Sequence, residues 1–150
     1  MTHKDMTGYC GLYCGDCIRF QCRASDLAAD LLTEIDTPHF REYAQVKRVH
    51  APEFDRMESI IAALKAITAI KCETPCGAGG NGCGGSCKII DCARERDLKG
   101  CWECDDIDKC PNLEFLQTFH GQGIIINLRQ IKKYGPENWT EHRAKCYPWL

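Results

Sequence analysis

Apolar residues recur at helical spacing in two stretches of the chain and thin out between them. In residues 25–70, Leu27, Leu31 and Ile35 step by four, and Met57, Ile60, Ile61, Leu64 and Ile67 form a second stripe. Both patterns predict amphipathic helices. Thr37-Pro38 predicts a helix running to about Val49, and Ala51-Pro52-Glu53 marks the start of the next. A proline fits the first turn because its missing N–H would have no intrahelical partner there. Three helices are therefore expected before Cys72. After Cys110, Pro111 opens a stretch with Leu113, Leu116 and Phe119 on one side and Gly121 as its stop. Ile124, Leu128 and Ile131 then lead to Lys132, Lys133 and Gly135, where cations near the helix C-terminus and a glycine stop agree. No alternating run predicts a strand.

The segment between these helices is of another kind. Residues 72–110 hold only five large apolar side chains in 39 positions (Ile89, Ile90, Leu98, Trp102, Ile107), against fourteen in 46 for residues 25–70. Gly77, Gly79, Gly80, Gly82, Gly84 and Gly85 raise the entropy that ordering must overcome. Hydrophobic burial alone does not fold such a segment. A structural zinc ion contributes an apparent ~10–16 kcal/mol, comparable to the ~5–15 kcal/mol of an entire domain.

The chain has 13 cysteines in 150 residues, enough for cysteine chemistry to organise the fold. Cys10, Cys14, Cys17 and Cys22 form one run, and Cys72, Cys76, Cys83, Cys87, Cys92, Cys101, Cys104 and Cys110 another, with Cys146 apart. Spacings of two to four residues let a tight turn aim two thiolates at one centre, as in zinc knuckles. Twelve thiolates would serve up to three four-ligand sites, and these twelve are the expected metal ligands. Thiolates suit zinc and iron–sulfur clusters alike, so a [4Fe-4S] cluster is the alternative to zinc. His142 lies four residues before Cys146, one helical turn away, and is a weaker ligand candidate.

Other uses of the thiols fit less well. Met1–Thr7 carries no apolar leader run, and no stretch approaches the ~18 apolar residues of a membrane span, so a soluble cytoplasmic protein with reduced thiols is expected. An odd cysteine count also cannot close entirely into intrachain disulfides. Cys14-Gly15-Asp16-Cys17 and Cys101-Trp102-Glu103-Cys104 are C-x-x-C pairs, yet neither follows the strand that precedes a thioredoxin-type motif. Cys10-x3-Cys14-x2-Cys17 resembles the cluster triplet of radical S-adenosylmethionine enzymes, but the length and alternating strands of their barrel are missing. Residues 1–75 carry 9 basic and 11 acidic side chains, and residues 76–150 carry 10 of each. Nothing there supports a nucleic-acid interface. No nucleophile stands beside a histidine base at motif quality, so a role other than catalysis is favoured. Asp105, Asp106 and Asp108 look like a solvated acidic loop. Trp139 is a candidate partner-binding aromatic, and Trp102 is expected to pack beside a metal knuckle.

Cys-Gly-Leu-Tyr-Cys-Gly-Asp-Cys at residues 10–17, the later Cys87-x4-Cys92-Ala93, and Cys101-x2-Cys104-x5-Cys110-Pro111 together resemble the cysteine-rich prokaryotic family called domain of unknown function 3795. Residues 127–139 look similar to that family's tail. The resemblance implies a small prokaryotic protein with metal-binding cysteines and brings no reaction or substrate. Members often carry Ile-Arg where this chain has Ile89-Ile90. The combined expectation is a mostly α single domain, residues 1–150, with a small helical core and irregular cysteine-rich metal-knuckle segments. It comprises a cysteine knuckle (8–24), a helical segment (25–70), a cysteine-rich segment (72–110) and C-terminal helices (111–150). The expected function is a zinc-binding module for an unidentified protein partner, with an iron–sulfur redox protein as the alternative.

Overall fold

The computed structural model describes all residues 1–150. Seven α-helices and several short 3-10 turns make up the regular structure: α1 Ile18–Gln21, α2 Ala24–Ile35, α3 Pro38–Lys47, α4 Met57–Ala69, α5 Lys88–Glu95, α6 Pro111–His120 and α7 Gly123–Tyr134. There is no strand, only an isolated antiparallel bridge between Thr7 and Tyr13. The chain divides into two compact units, Cys22–Lys71 and Met1–Gln21 with Cys72–Leu150.

The first of these units is a three-helix assembly. Thr37 caps α3 by accepting from Phe40 N at 3.3 Å, and Pro38 follows in the first turn, as its sequence predicts. A 3-10 turn, Pro52–Arg56, precedes α4 where a continuous helix was expected. The core is Ile35, Ala44, Met57 and Ile61, flanked by Leu32, Phe40, Phe54 and Leu64. The inward stripe of α2 differs from the expected one: Ser25, Ala28 and Ile35 are buried, while Leu27 and Leu31 are 54% and 46% exposed. Small residues let α2 lie close to α4, and Ser25 Oγ donates to Ile67 O at 2.8 Å across that contact. A reading that weights only large apolar residues misses such a seam.

The second unit has its own core, built around α7. Ile124, Leu128 and Ile131 are buried as predicted and pack with Leu12, Ile89 and Leu113. Residues 25–70 and 111–134 thus contribute to two separate apolar clusters where one shared core was expected. On α6, Leu113 is buried and Leu116 packs on the core, but Phe119 is 69% exposed. Two steps of three residues turn Phe119 about 120° away from Leu113 on the helix.

Both ends of the chain are drawn onto α7. Gly11 adopts φ +84°, and a Cβ there would fall 3.0 Å from Leu128 Cγ and 3.1 Å from Ile124 O, so only glycine fits. Asn127, buried on α7, donates from Nδ2 to Gly11 O at 2.9 Å and to Cys146 Sγ at 3.1 Å. Its Oδ1 accepts from Ala144 N at 2.7 Å. Trp139 is fully buried, with its Nε1 donating to Thr7 Oγ1 at 2.8 Å. That burial corrects the sequence expectation of a partner-binding Trp139. Replacing Asn127 by Leu strands the Ala144 N–H and the Gly11 carbonyl, and urea denaturation is expected to show a loss of about 2–3 kcal/mol.

Candidate metal centre

The N-terminal loop is folded before any ligand is considered. Gly8 N donates to Leu12 O and Cys14 N to Met6 O, both at 2.8 Å, so residues 6–14 double back with Cys10 near the tip. A 3-10 turn, Cys14–Asp16, then leads to Cys17, whose N–H bonds Cys14 O at 3.1 Å. The segment after α4 lies against this loop within the same unit. Cys72 N donates to Arg19 O at 2.9 Å, and at Gly77 a Cβ would fall 2.4 Å from Thr7 O and 2.7 Å from Asp5 O. Any other residue at position 77 would push the Cys76 turn off the loop.

This docking makes a first thiol group. Cys14 and Cys76 share a hydrogen bond, which lowers Cys76 and raises Cys14, so the proton resides on Cys14. Backbone N–H groups of Tyr9, Cys76 and Gly77 also favour the Cys76 thiolate. Desolvation pushes Cys10 well above the ordinary thiol range, and Cys76, Cys101 and Cys83 add repulsion. Cys83 is pushed up to about 11, chiefly by desolvation and then by Cys76 and Cys17, against which Arg19 pulls down. Cys72 is raised by desolvation and by Cys17 and Cys76. The group thus joins Cys10, Cys14 and Cys17 to Cys72, Cys76 and Cys83. Tyr147, whose hydroxyl reaches Tyr13 O at 3.4 Å, borders it at Cys17.

A second group forms farther along the chain. Cys101 N donates to Tyr9 O at 2.9 Å, which fixes the 3-10 turn Cys101–Glu103 against the N-terminal loop, and Cys104 N bonds Cys101 O at 3.1 Å. Cys92 sits on α5, which starts after Cys87, and Cys110 immediately precedes Pro111 of α6. Cys92, Cys101, Cys104 and Cys110 line one void of about 20 Å³, with Ala93, Leu98, Ile107 and Leu113 among its walls. That volume is about one water-sized sphere. Arg96, one helical turn after Cys92, donates from Nη1 to Cys104 Sγ at 3.1 Å. Desolvation, with repulsion from Cys110, Cys104, Cys92 and Cys87, pushes Cys101 up to about 12. No three His, Cys, Asp or Glu side chains are already drawn together as a metal-binding group. Closing a site therefore requires the thiols to move toward a common centre.

The spatial grouping cuts across the sequence runs. The run Cys10 to Cys22 is split, since Cys22 belongs to the helical unit, is exposed, and accepts from Ala24 N at 3.4 Å. Cys146 is buried on Asn127, and burial pushes it up to about 11. Residues 143–146 are not helical, so the turn expected to align His142 with Cys146 is not formed, and His142 stacks on Tyr134 at 3.9 Å instead. Asp105, Asp106 and Asp108 are exposed and pair with Lys132 at 3.3 Å, Arg96 at 3.6 Å and Arg129 at 2.6 Å. Trp102 is buried among the second unit's core residues. Sequence reading missed Arg96, although its place four residues after Cys92 was a usable signal, and it missed Asn127, which carried none.

A family model described as Protein of unknown function (DUF3795) matches residues 6–115, a span that holds all twelve candidate ligand cysteines. No curated protein matches the chain, and no solved structure does.

Cys83 is surface-exposed, yet with a pKa of about 11 its thiolate fraction at pH 8 is about one in a thousand. Alkylation of the reduced, metal-free chain, followed residue by residue by mass spectrometry, is expected to accelerate about tenfold per pH unit at Cys83 from pH 8 towards 11. A plateau below pH 9 would contradict the described crowding.

Proposed function

The chain belongs to the DUF3795 family, and on that premise we propose that it is a zinc-binding protein whose metal is structural and whose folded surface serves a protein partner. The observation that carries this reading is the gathering of ten cysteines into two groups, of six and four, within one compact unit. Such crowding opposes ionisation of Cys10, Cys72, Cys83 and Cys101, and a divalent cation would reverse that opposition. The donor set is all sulfur, which suits zinc. The segments concerned have few other means of holding their shape, as the count of apolar residues in 72–110 makes plain. Bound thiolates would be structural ligands with no open position, so the reading calls for no reaction. It goes with a prokaryotic cytoplasm, where thiols stay reduced. No helix is long and apolar enough to cross a membrane.

One observation favours the iron–sulfur alternative at the first group. Six thiols lie there, more than one tetrahedral ion uses, and Cys76 receives backbone N–H donors of the kind that tune cluster potentials. In that case the protein would carry electrons or a cluster-based redox activity.

Elemental analysis for zinc, iron and sulfide, with a visible spectrum, on protein purified without oxygen separates the two readings. Two or more zinc equivalents and no colour are expected; iron with matching sulfide and a brown chromophore would overturn the zinc reading. Chelation of the metal is expected to raise hydrogen exchange throughout residues 72–110 while α2 and α4 keep their protection. Unchanged exchange in 72–110 would remove the structural role.

A further inference from the structure

Building on the metal-binding reading, we propose that Cys92, Cys101, Cys104 and Cys110 form one mononuclear site for a tetrahedral divalent ion such as zinc, with Arg96 as its positioning residue. The four sulfurs border the same void, and most of its other walls are aliphatic. No competing oxygen or imidazole donor lines it. Its volume of about 20 Å³ suits a single atom, whereas a four-iron, four-sulfide cube would have to displace Ile107 and Leu113 from a close-packed interior.

Backbone structure anchors all four positions. Cys92 is held by α5, Cys110 by the start of α6, Cys101 by its N–H bond to Tyr9 O at 2.9 Å, and Cys104 by its N–H bond to Cys101 O at 3.1 Å. Cys87, the fifth thiol near Cys101, does not line the void. Its Sγ lies instead 3.5 Å from the place a Gly82 Cβ would take.

Arg96 gives the site its charge logic. Four neutral thiols that take up one divalent ion release four protons, and the resulting tetrathiolate complex carries two net negative charges with no change of oxidation state. That charge is costly in a desolvated site unless a cation faces it. The Arg96 guanidinium lies 3.1 Å from Cys104 Sγ and is the cation lining the void. It fixes the Cys104 sulfur by a hydrogen bond and offsets part of the charge, the service that outer-shell partners give metal ligands. Asp106, 3.6 Å from Nη2, holds the guanidinium from the other side.

The test uses the full chain loaded with zinc or cobalt(II), in the wild type and in Cys104→Ser, Arg96→Gln and Arg96→Lys. Arg96 has a half-exposed side chain, so its variants are expected to keep the helical circular dichroism of the wild type. Cys104→Ser is expected to lower the metal content by one equivalent. Arg96→Gln is expected to weaken one zinc site about 10- to 100-fold in chelator competition and to shift the cobalt–thiolate absorption, with Arg96→Lys recovering part of the affinity. Wild-type protein that holds metal, beside variants with full stoichiometry and affinity, would overturn this inference alone. Loss of iron and sulfide together from Cys104→Ser would overturn it too, in favour of a cluster. Wild-type protein that takes up no metal would overturn both this inference and the reading it builds on.

Discussion

Thiols massed in a desolvated interior resist ionisation, because each thiolate would face its neighbours' charge without water to screen it. The rest of the cysteine-bearing unit hangs on how that constraint is met. Cys101 is pushed up to about 12 and Cys83, although it reaches the surface, to about 11, while the hydrogen bond with Cys14 and backbone N–H groups lower Cys76 to about 6. The proposed cation would convert the same crowding into coordination, and residues 72–110 would then acquire a cross-linked centre that supplements their few apolar side chains. Of their five large apolar side chains, Ile89, Ile90, Trp102 and Ile107 are buried and Leu98 walls the four-cysteine void. Packing and thiol convergence thus act at the same places.

Around the thiols stands a scaffold of ordinary physical chemistry. Helix α7 buries Ile124, Leu128 and Ile131, and Asn127, buried beside them, ties the loop at Gly11 and the segment at Ala144–Cys146 to it. Trp139 and Thr7 add a second buried link between the N-terminal and C-terminal stretches. The loop bearing Cys10 is therefore held by hydrogen bonds and shape independently of any ligand. The helical unit owes its core to Ile35, Ala44, Met57 and Ile61, with no thiol among them.

Much of this was legible from the order of residues. Proline starts and glycine stops marked α3, α6 and α7 because caps act locally, and the stripe of α7 was correct because Ile124, Leu128 and Ile131 all face one core. Leu27 and Leu31 misled because α2 turns the small Ser25 and Ala28 towards its neighbour, a choice set by interhelical distance. Phe119 misled because threefold spacing drifts around a short helix. The spacing named twelve candidate ligands, but it did not reveal which of them the fold gathers, and Cys22 falls outside both groups. Gly77 against Thr7 O and Cys101 against Tyr9 O are long-range contacts that no local motif announces. His142 shows the converse limit: a four-residue interval aligns two side chains only where the backbone between them is helical.

The most direct test of the central claim is X-ray absorption at the zinc and iron edges of the purified protein. The account predicts a zinc edge with a first shell of about four sulfurs near 2.3 Å per ion. A first shell dominated by nitrogen or oxygen, or an iron edge with short iron–iron distances in place of zinc, would contradict it.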